Sequence, residues 1–254
     1  MKSKLFAAML CLGMFMLVSC GDDDDSNNKK PDPNPGTEGN VTPDKLPVKT
    51  CKFVVQGKKF EGYDKWVYVN LETGETETKD DVNAKQWRQY GPDGTETDGF
   101  GKYNVIKETP AGEPNAPAKW HLAFHIYEPM TNGGEVFMSD LTDLNSIKGL
   151  PENVTWVADK KVWLIGDMTG MMTTPTTIGY IAGWANPEMY KWHYKKGMGE
   201  YFITMSKSDP SKAPVFFMKF KDGSYALIQY KSMLDETGKK KEITFDYKFV
   251  KAKK

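Results

Sequence analysis

From residue 49 onward the apolar residues come in short aromatic and β-branched runs cut off by Gly, Pro, Asn and Asp. That punctuation leaves room for strands and almost none for helices. Lys65-Trp66-Val67-Tyr68-Val69-Asn70-Leu71 reads as a strand ending in the turn Glu72-Thr73-Gly74-Glu75. Trp120 to Tyr127 reads as a half-buried strand with Trp120, Leu122, Phe124 and Ile126 on one face, stopping at Pro129 and Asn132-Gly133-Gly134. Val215-Phe216-Phe217-Met218-Lys219-Phe220 and Tyr225-Ala226-Leu227-Ile228-Gln229-Tyr230 flank Asp222-Gly223, the signature of a hairpin. Residues 242–250 alternate as a last strand, and only residues 142–148 read as a short helix. No internal repeat is visible, so the expectation is an all-β, mostly antiparallel single domain over 49–254 with at most one short helix.

The first 48 residues are of another kind. Lys2 and Lys4 precede an apolar run over 5–18, which has the length of a signal peptide and is short for a membrane span. The run ends Leu17-Val18-Ser19-Cys20, which resembles a bacterial lipobox, with 1–19 removed and Cys20 acylated. Two acyl chains on that residue make attachment effectively permanent, at ~0.8 kcal/mol per buried CH₂. The run Asp22-Asp23-Asp24-Asp25 behind the cysteine resembles the surface-export signal of lipoproteins of the Bacteroidota. The remainder of 20–48 is polar and proline-rich and reads as a flexible tether with a reach of roughly 30 Å. The expected place is therefore the outer membrane, lipid-anchored, facing out from the cell.

Removing Lys2 and Lys4 leaves 32 basic against 34 acidic residues, a balance that gives nucleic acid no electrostatic purchase. Of three cysteines, Cys11 leaves with the signal and Cys20 is acylated, so Cys51 has no partner for a disulfide and stability rests on the core. Gly-x-Ser-x-Gly, phosphate-loop, Cys-x-x-Cys and His-Glu-x-x-His patterns are all missing, and no catalysis is expected. His121 and His125 lie ~13 Å apart along one strand, too far to share a metal, and read as structural.

Methionine is the unusual residue. Ten of the fourteen follow the signal, and several sit in turn-like polar settings, Asp167-Met168-Thr169-Gly170-Met171-Met172-Thr173-Thr174-Pro175 and Lys195-Lys196-Gly197-Met198-Gly199. There a thioether has either soft metal ligation or flexible apolar contact to offer.

The strand at 66–74, the stretch from Trp120 to Gly134, the hairpin at 215–230 and Ile243-Thr244-Phe245-Asp246-Tyr247 together resemble the HmuY-type haem-binding lipoproteins, with residues 82–117 looking like an insertion. The resemblance implies an all-β domain that grips one haem in a crevice between hairpins, with two axial side chains on the iron. In that family's pattern both are histidines; here the matching loops carry Met171, with Met172 next to it, and Met198. His193 competes as a ligand, Trp192 and Tyr194 with Tyr190 and Tyr201 are candidates to pack on the porphyrin, and Lys191, Lys195 and Lys196 to meet its propionates. The function implied is capture of haem, including from host haemoproteins, for an outer-membrane haem transporter. The competing class is a non-catalytic lipoprotein that binds glycan or protein on a Trp and Tyr platform.

Overall fold

The aromatic and β-branched runs do form strands, all paired antiparallel, in a computed structural model that describes residues 41–57, 61–196 and 200–253. Cys20, the signal and most of the tether lie outside the described residues. Strands are numbered in chain order. The largest sheet runs β1 (Lys49–Val54), β17 (Lys240–Val250), β16 (Tyr225–Leu234), β15 (Val215–Lys219), β9 (Glu135–Met138) and β10 (Val157–Ala158). A second sheet runs β3 (Thr76–Asp80), β2 (Lys65–Val69), β7 (Leu122–His125) and β8 (Glu128–Thr131). The third runs β11 (Lys160–Asp167), β12 (Thr177–Ala185), β4 (Lys85–Tyr90), β6 (Gly101–Thr109) and β5 (Glu96–Asp98). A small hairpin pairs β13 (His193–Lys195) with β14 (Tyr201–Ile203).

The main core lies between the first two sheets, where Phe53, Phe216, Ile228 and Phe245 meet Val67, Val69, Leu122 and Phe124. The other face of the second sheet, with Trp66, Tyr68 and Ala123, packs on Leu164 and Ile181 of the third. Residues 82–117, which resembled an insertion, supply β4, β6 and β5, three of that third sheet's five strands. Both faces of β7 are thus covered, and Leu122, Ala123, Phe124 and His125 are all buried, a correction to the half-buried strand expected there. Trp120 lies before β7 and packs its ring on Tyr68, 5.1 Å between centroids, on the side of Ala123 rather than that of Leu122.

The strand also ends earlier than expected. His125 pairs with Glu128 across a two-residue turn, Ile126-Tyr127, in which Ile126 takes φ 52°. A β-branched residue in the left-handed region is strained; burial of Ile126 and Tyr127 in the main core holds it there. Pro129, read as a stop, lies within β8, an edge strand where a missing N–H breaks no ladder.

Residues 142–148 are turns, not the expected helix. The Asp143 carboxylate accepts the Asn145 amide at 2.9 Å, and the Ser146 hydroxyl donates to the Asp143 carbonyl at 2.8 Å. Such local bonds compete with helical ones, and the segment instead lays Leu144 and Ile147 on Val215, Phe217 and Leu227, the outer face of the first sheet. The two short 3-10 helices fall at Pro43–Lys45 and Met189–Trp192. The first lies inside the stretch expected to be tether. Pro43 is buried there and its carbonyl accepts Lys248 Nζ at 2.9 Å, so the fold begins before residue 49.

Candidate functional site

The connection between β11 and β12 carries Met168, Met171 and Met172, and it is tightly folded on itself. Asp167 accepts the Thr169 amide at 2.8 Å and its hydroxyl at 2.7 Å; the amides of Met171, Thr173 and Thr177 donate to the carbonyls of Met168, Gly170 and Gly170. A side chain at Gly170 would meet the Thr177 carbonyl at 2.6 Å, so this closure requires glycine. Burial works to raise the Asp167 carboxyl, but the Thr169 donors, the Trp87 indole and the Lys85 charge hold it below the ordinary carboxylate range. The turns turn Met172 outward until it is 80 % exposed, while Met171 is half-buried beside it.

Next to this connection, Trp87 of β4 pairs with Gly179 of β12. A Cβ on Gly179 would come within 3.0 Å of the Trp87 indole nitrogen, so the glycine lets the indole lie close to the sheet. Lys107 Nζ sits 4.4 Å from the centre of that ring. Nothing in the spacing of Trp87 marked it out, because its neighbours in the site come from β6 and β12.

The hairpin β13–β14 presents Tyr194 and Phe202, 50 % and 44 % exposed, stacked at 5.5 Å. Lys196 donates its amide to Glu200 across the connection that contains Met198, and residues 197–199 lie outside the described residues. Met171, Met172 and Tyr194 are therefore placed at or near the surface.

Trp192 and His193 are not. Trp192 is fully buried, stacked 4.3 Å from Tyr230, and its indole donates to the Tyr127 carbonyl at 3.0 Å, which makes it a core residue. His193 is buried among Tyr127, Tyr190, Trp192 and Tyr201, with ring centres 4.7 to 5.8 Å away. Desolvation lowers its pKa against the opposing pull of Glu128, so the ring is neutral, and its Nδ1 has no hydrogen-bond partner. The same cluster buries the Tyr127 hydroxyl without a hydrogen-bond partner, and burial pushes Tyr63 and Tyr190 up to about 12. A knot of aromatic rings holding two unsatisfied polar atoms is uncommon in a core. It forms the root of the hairpin, and the sequence signal for it was only the density of Tyr in 190–201.

His121 and His125 are structural, as expected. His121 Nδ1 accepts the Leu71 amide at 3.1 Å between Phe220 and Phe249, and His125 Nε2 lies 2.8 Å from the Tyr63 carbonyl. Among the described residues no group of three or more His, Cys, Asp or Glu is arranged to hold a metal ion.

The family model for the HmuY protein matches residues 62–247. Among solved structures, apo PinO from Porphyromonas gingivitis is 36 % identical, with TM-score 0.69 over 82 % of this chain and all of that one. The apo HmuY analog of Tannerella forsythia, TFO, is 27 % identical, with TM-score 0.63 over 80 % of this chain and 95 % of that one. A protein from Bacteroides vulgatus described as HmuY-like and heme-binding is 22 % identical, with TM-score 0.53 over 79 % of this chain and 90 % of that one, a likeness of fold. Comparison with the curated proteins gave no match.

Proposed function

We propose, because this chain belongs to the HmuY family, that it is a haem-capturing lipoprotein of the cell surface whose iron ligands are thioethers. One observation carries the choice of ligand. All three histidines are at least nine-tenths buried, whereas Met172 is 80 % exposed on a connection that its own hydrogen bonds hold rigid. An exposed thioether can reach a ligand from solvent, which none of the three buried imidazoles can do without rearrangement. A thioether is a soft ligand suited to haem iron in its ferrous state.

Met171 or Met172 supplies one ligand and Met198 the other. Trp87 lies beside the first with Lys107 Nζ 4.4 Å from its ring centre, Tyr194 and Phe202 offer a flat face on the hairpin, and Lys107, Lys195 and Lys196 meet the propionates. The protein binds and releases haem without chemistry on it. Cys20, acylated, and the tether behind it hold the domain outward, where it takes haem, from host haemoproteins among other sources, and passes it to an outer-membrane transporter. The lipobox-like Leu17-Val18-Ser19-Cys20 and the acidic run support that placement.

Spectroscopic titration with haem tests the reading. A Soret shift saturating at one haem per chain is expected, with at least tenfold weaker binding in Met198→Ala and in one of Met171→Ala and Met172→Ala. A spectrum indifferent to all three but abolished in His193→Ala would transfer the ligand role to the imidazole.

A further inference from the structure

A concavity lies beside the second and third sheets. It has a volume of about 260 Å³ and opens between the second sheet and residues 111–116. Along β12 the distance from Thr177, which bonds the Met171 connection, to Trp184, which lines this cleft, is seven residues or roughly 23 Å. The cleft is thus separate from the Met171–Met172 connection.

Its walls are aromatic. Trp66, 2 % exposed, forms the floor, with its indole N–H committed to Asp81 at 2.9 Å. Tyr68 and Trp120 meet edge to face at 5.1 Å and make a fixed corner, and Trp184, 44 % exposed, stands at the rim. No charged residue lines it, although 27 % of the chain is charged. The remaining polar lining is amide: Asn115 donates its side-chain nitrogen to the Asp80 carbonyl at 2.8 Å, and Asn83 donates to Asp81 at 2.6 Å. Those bonds fix both amides and leave their carbonyl oxygens unpartnered among the described residues. The Tyr68 hydroxyl and the indole N–H groups of Trp120 and Trp184 likewise have no protein partner there, and none of these atoms is sealed from solvent.

An occupant must therefore present a flat apolar face to the indoles, hydroxyls to a mixed set of neutral donors and acceptors, and no net charge. The lining itself offers an anion no cation, Lys161 Nζ standing outside it at 5.6 Å from the centre of the Trp184 ring, and a purely apolar molecule would leave five polar groups unsatisfied. A pyranose ring meets all three conditions, with axial C–H groups on one face and hydroxyls around the edge, and the volume suits one ring with its linkage. We infer that this cleft binds a neutral sugar unit, making the protein a glycan-binding lipoprotein as well as a haem-binding one.

Native electrophoresis of the full-length protein through gels containing mannan, dextran, galactan or polygalacturonate reads this directly. Saturation-transfer NMR with the corresponding methyl hexosides locates the contact. Retardation by at least one neutral polysaccharide and none by polygalacturonate is expected, weakened at least tenfold in Trp184→Ala and in Asn115→Ala. Both residues are partly exposed, and unchanged circular dichroism would certify their folds. Trp163→Ala, which removes a tryptophan 46 % exposed outside the cleft, is expected to leave retardation within twofold of the parent. The haem spectrum is expected to survive in all three variants. Absence of retardation by every neutral polysaccharide, retardation by the acidic one alone, or retardation undiminished in both cleft variants would overturn the proposal.

Discussion

At the scale of single residues, burial sorts the ligand candidates more sharply than identity does. Histidine is the stronger haem ligand in general, yet His193 has been spent on packing, while a methionine stands in water. The burial has a pH signature. Desolvation, the largest effect on both, lowers the pKa of His121 and His193 from the ordinary 6.5, so near that value the unfolded chain takes up protons that the native protein refuses. Their contribution is fully present above about pH 6.5 and is lost as the pH falls toward the depressed native values. Glu72, held at about 2 by bonds from Lys119 and Lys251, contributes fully throughout this range and loses its contribution only as the pH falls below about 4.5. The urea midpoint is therefore expected to drop between pH 7.5 and 5.5, and to drop less in His193→Phe, which keeps the ring but cannot protonate. An equal drop in both would show that His193 is not buried neutral. Cys51 gives a second reading of the same physics. Only 3 % exposed, its thiol is pushed up to about 11 by desolvation, so it is expected to resist iodoacetamide at pH 8 in the native protein and to react fully in urea. Prompt native labelling would contradict the packing of β1.

At the scale of elements, Trp192 separates packing from binding. Its indole stacks on Tyr230 and bonds the Tyr127 carbonyl, so Trp192→Ala is expected to cost about 3–5 kcal/mol by denaturant titration and to leave the haem spectrum of the remaining folded protein in place. Little loss of stability with an altered spectrum would return Trp192 to the haem wall. The same contrast explains what was legible in the sequence. The hairpin β15–β16 could be read because its turn has local chemistry: Gly223 at φ 84°, and the Asp222 carboxylate accepting the Ser224 amide at 2.9 Å. The hairpin β7–β8 could not, because Ile126-Tyr127 carries no turn residue and is held by core packing that no local window contains. Residues 142–148 had helical composition, and the competition from Asp143 and Ser146 is visible only with the sheet face they cover. The Met connection was legible as a loop from its Gly, Thr and Pro content, but the nearness of Trp87 depends on a β4–β12 register that sequence periodicity does not carry.

At the scale of the whole molecule, the three sheets carry the two places proposed for ligands. One is marked by exposed sulfur at one end of β12 and the other by neutral aromatic lining at the opposite end. Both belong to a domain whose described fold starts at the 3-10 helix Pro43–Lys45, held by the buried Lys248, so a tether from an acylated Cys20 would transmit its pull to the last strand of the largest sheet. No helix among the described residues is long and apolar enough to cross a membrane. In the proposed function this domain holds haem iron by sulfur, and oxidation state is the property that distinguishes sulfur from imidazole. The deciding measurement is a haem titration of the full-length protein followed by absorbance in the Soret region, run once with dithionite and once without. Tighter binding and a sharper band are predicted for ferrous haem, both lost together in Met198→Ala. Equal or stronger binding of ferric haem that persists in the methionine variants, or no Soret shift in either state, would contradict it.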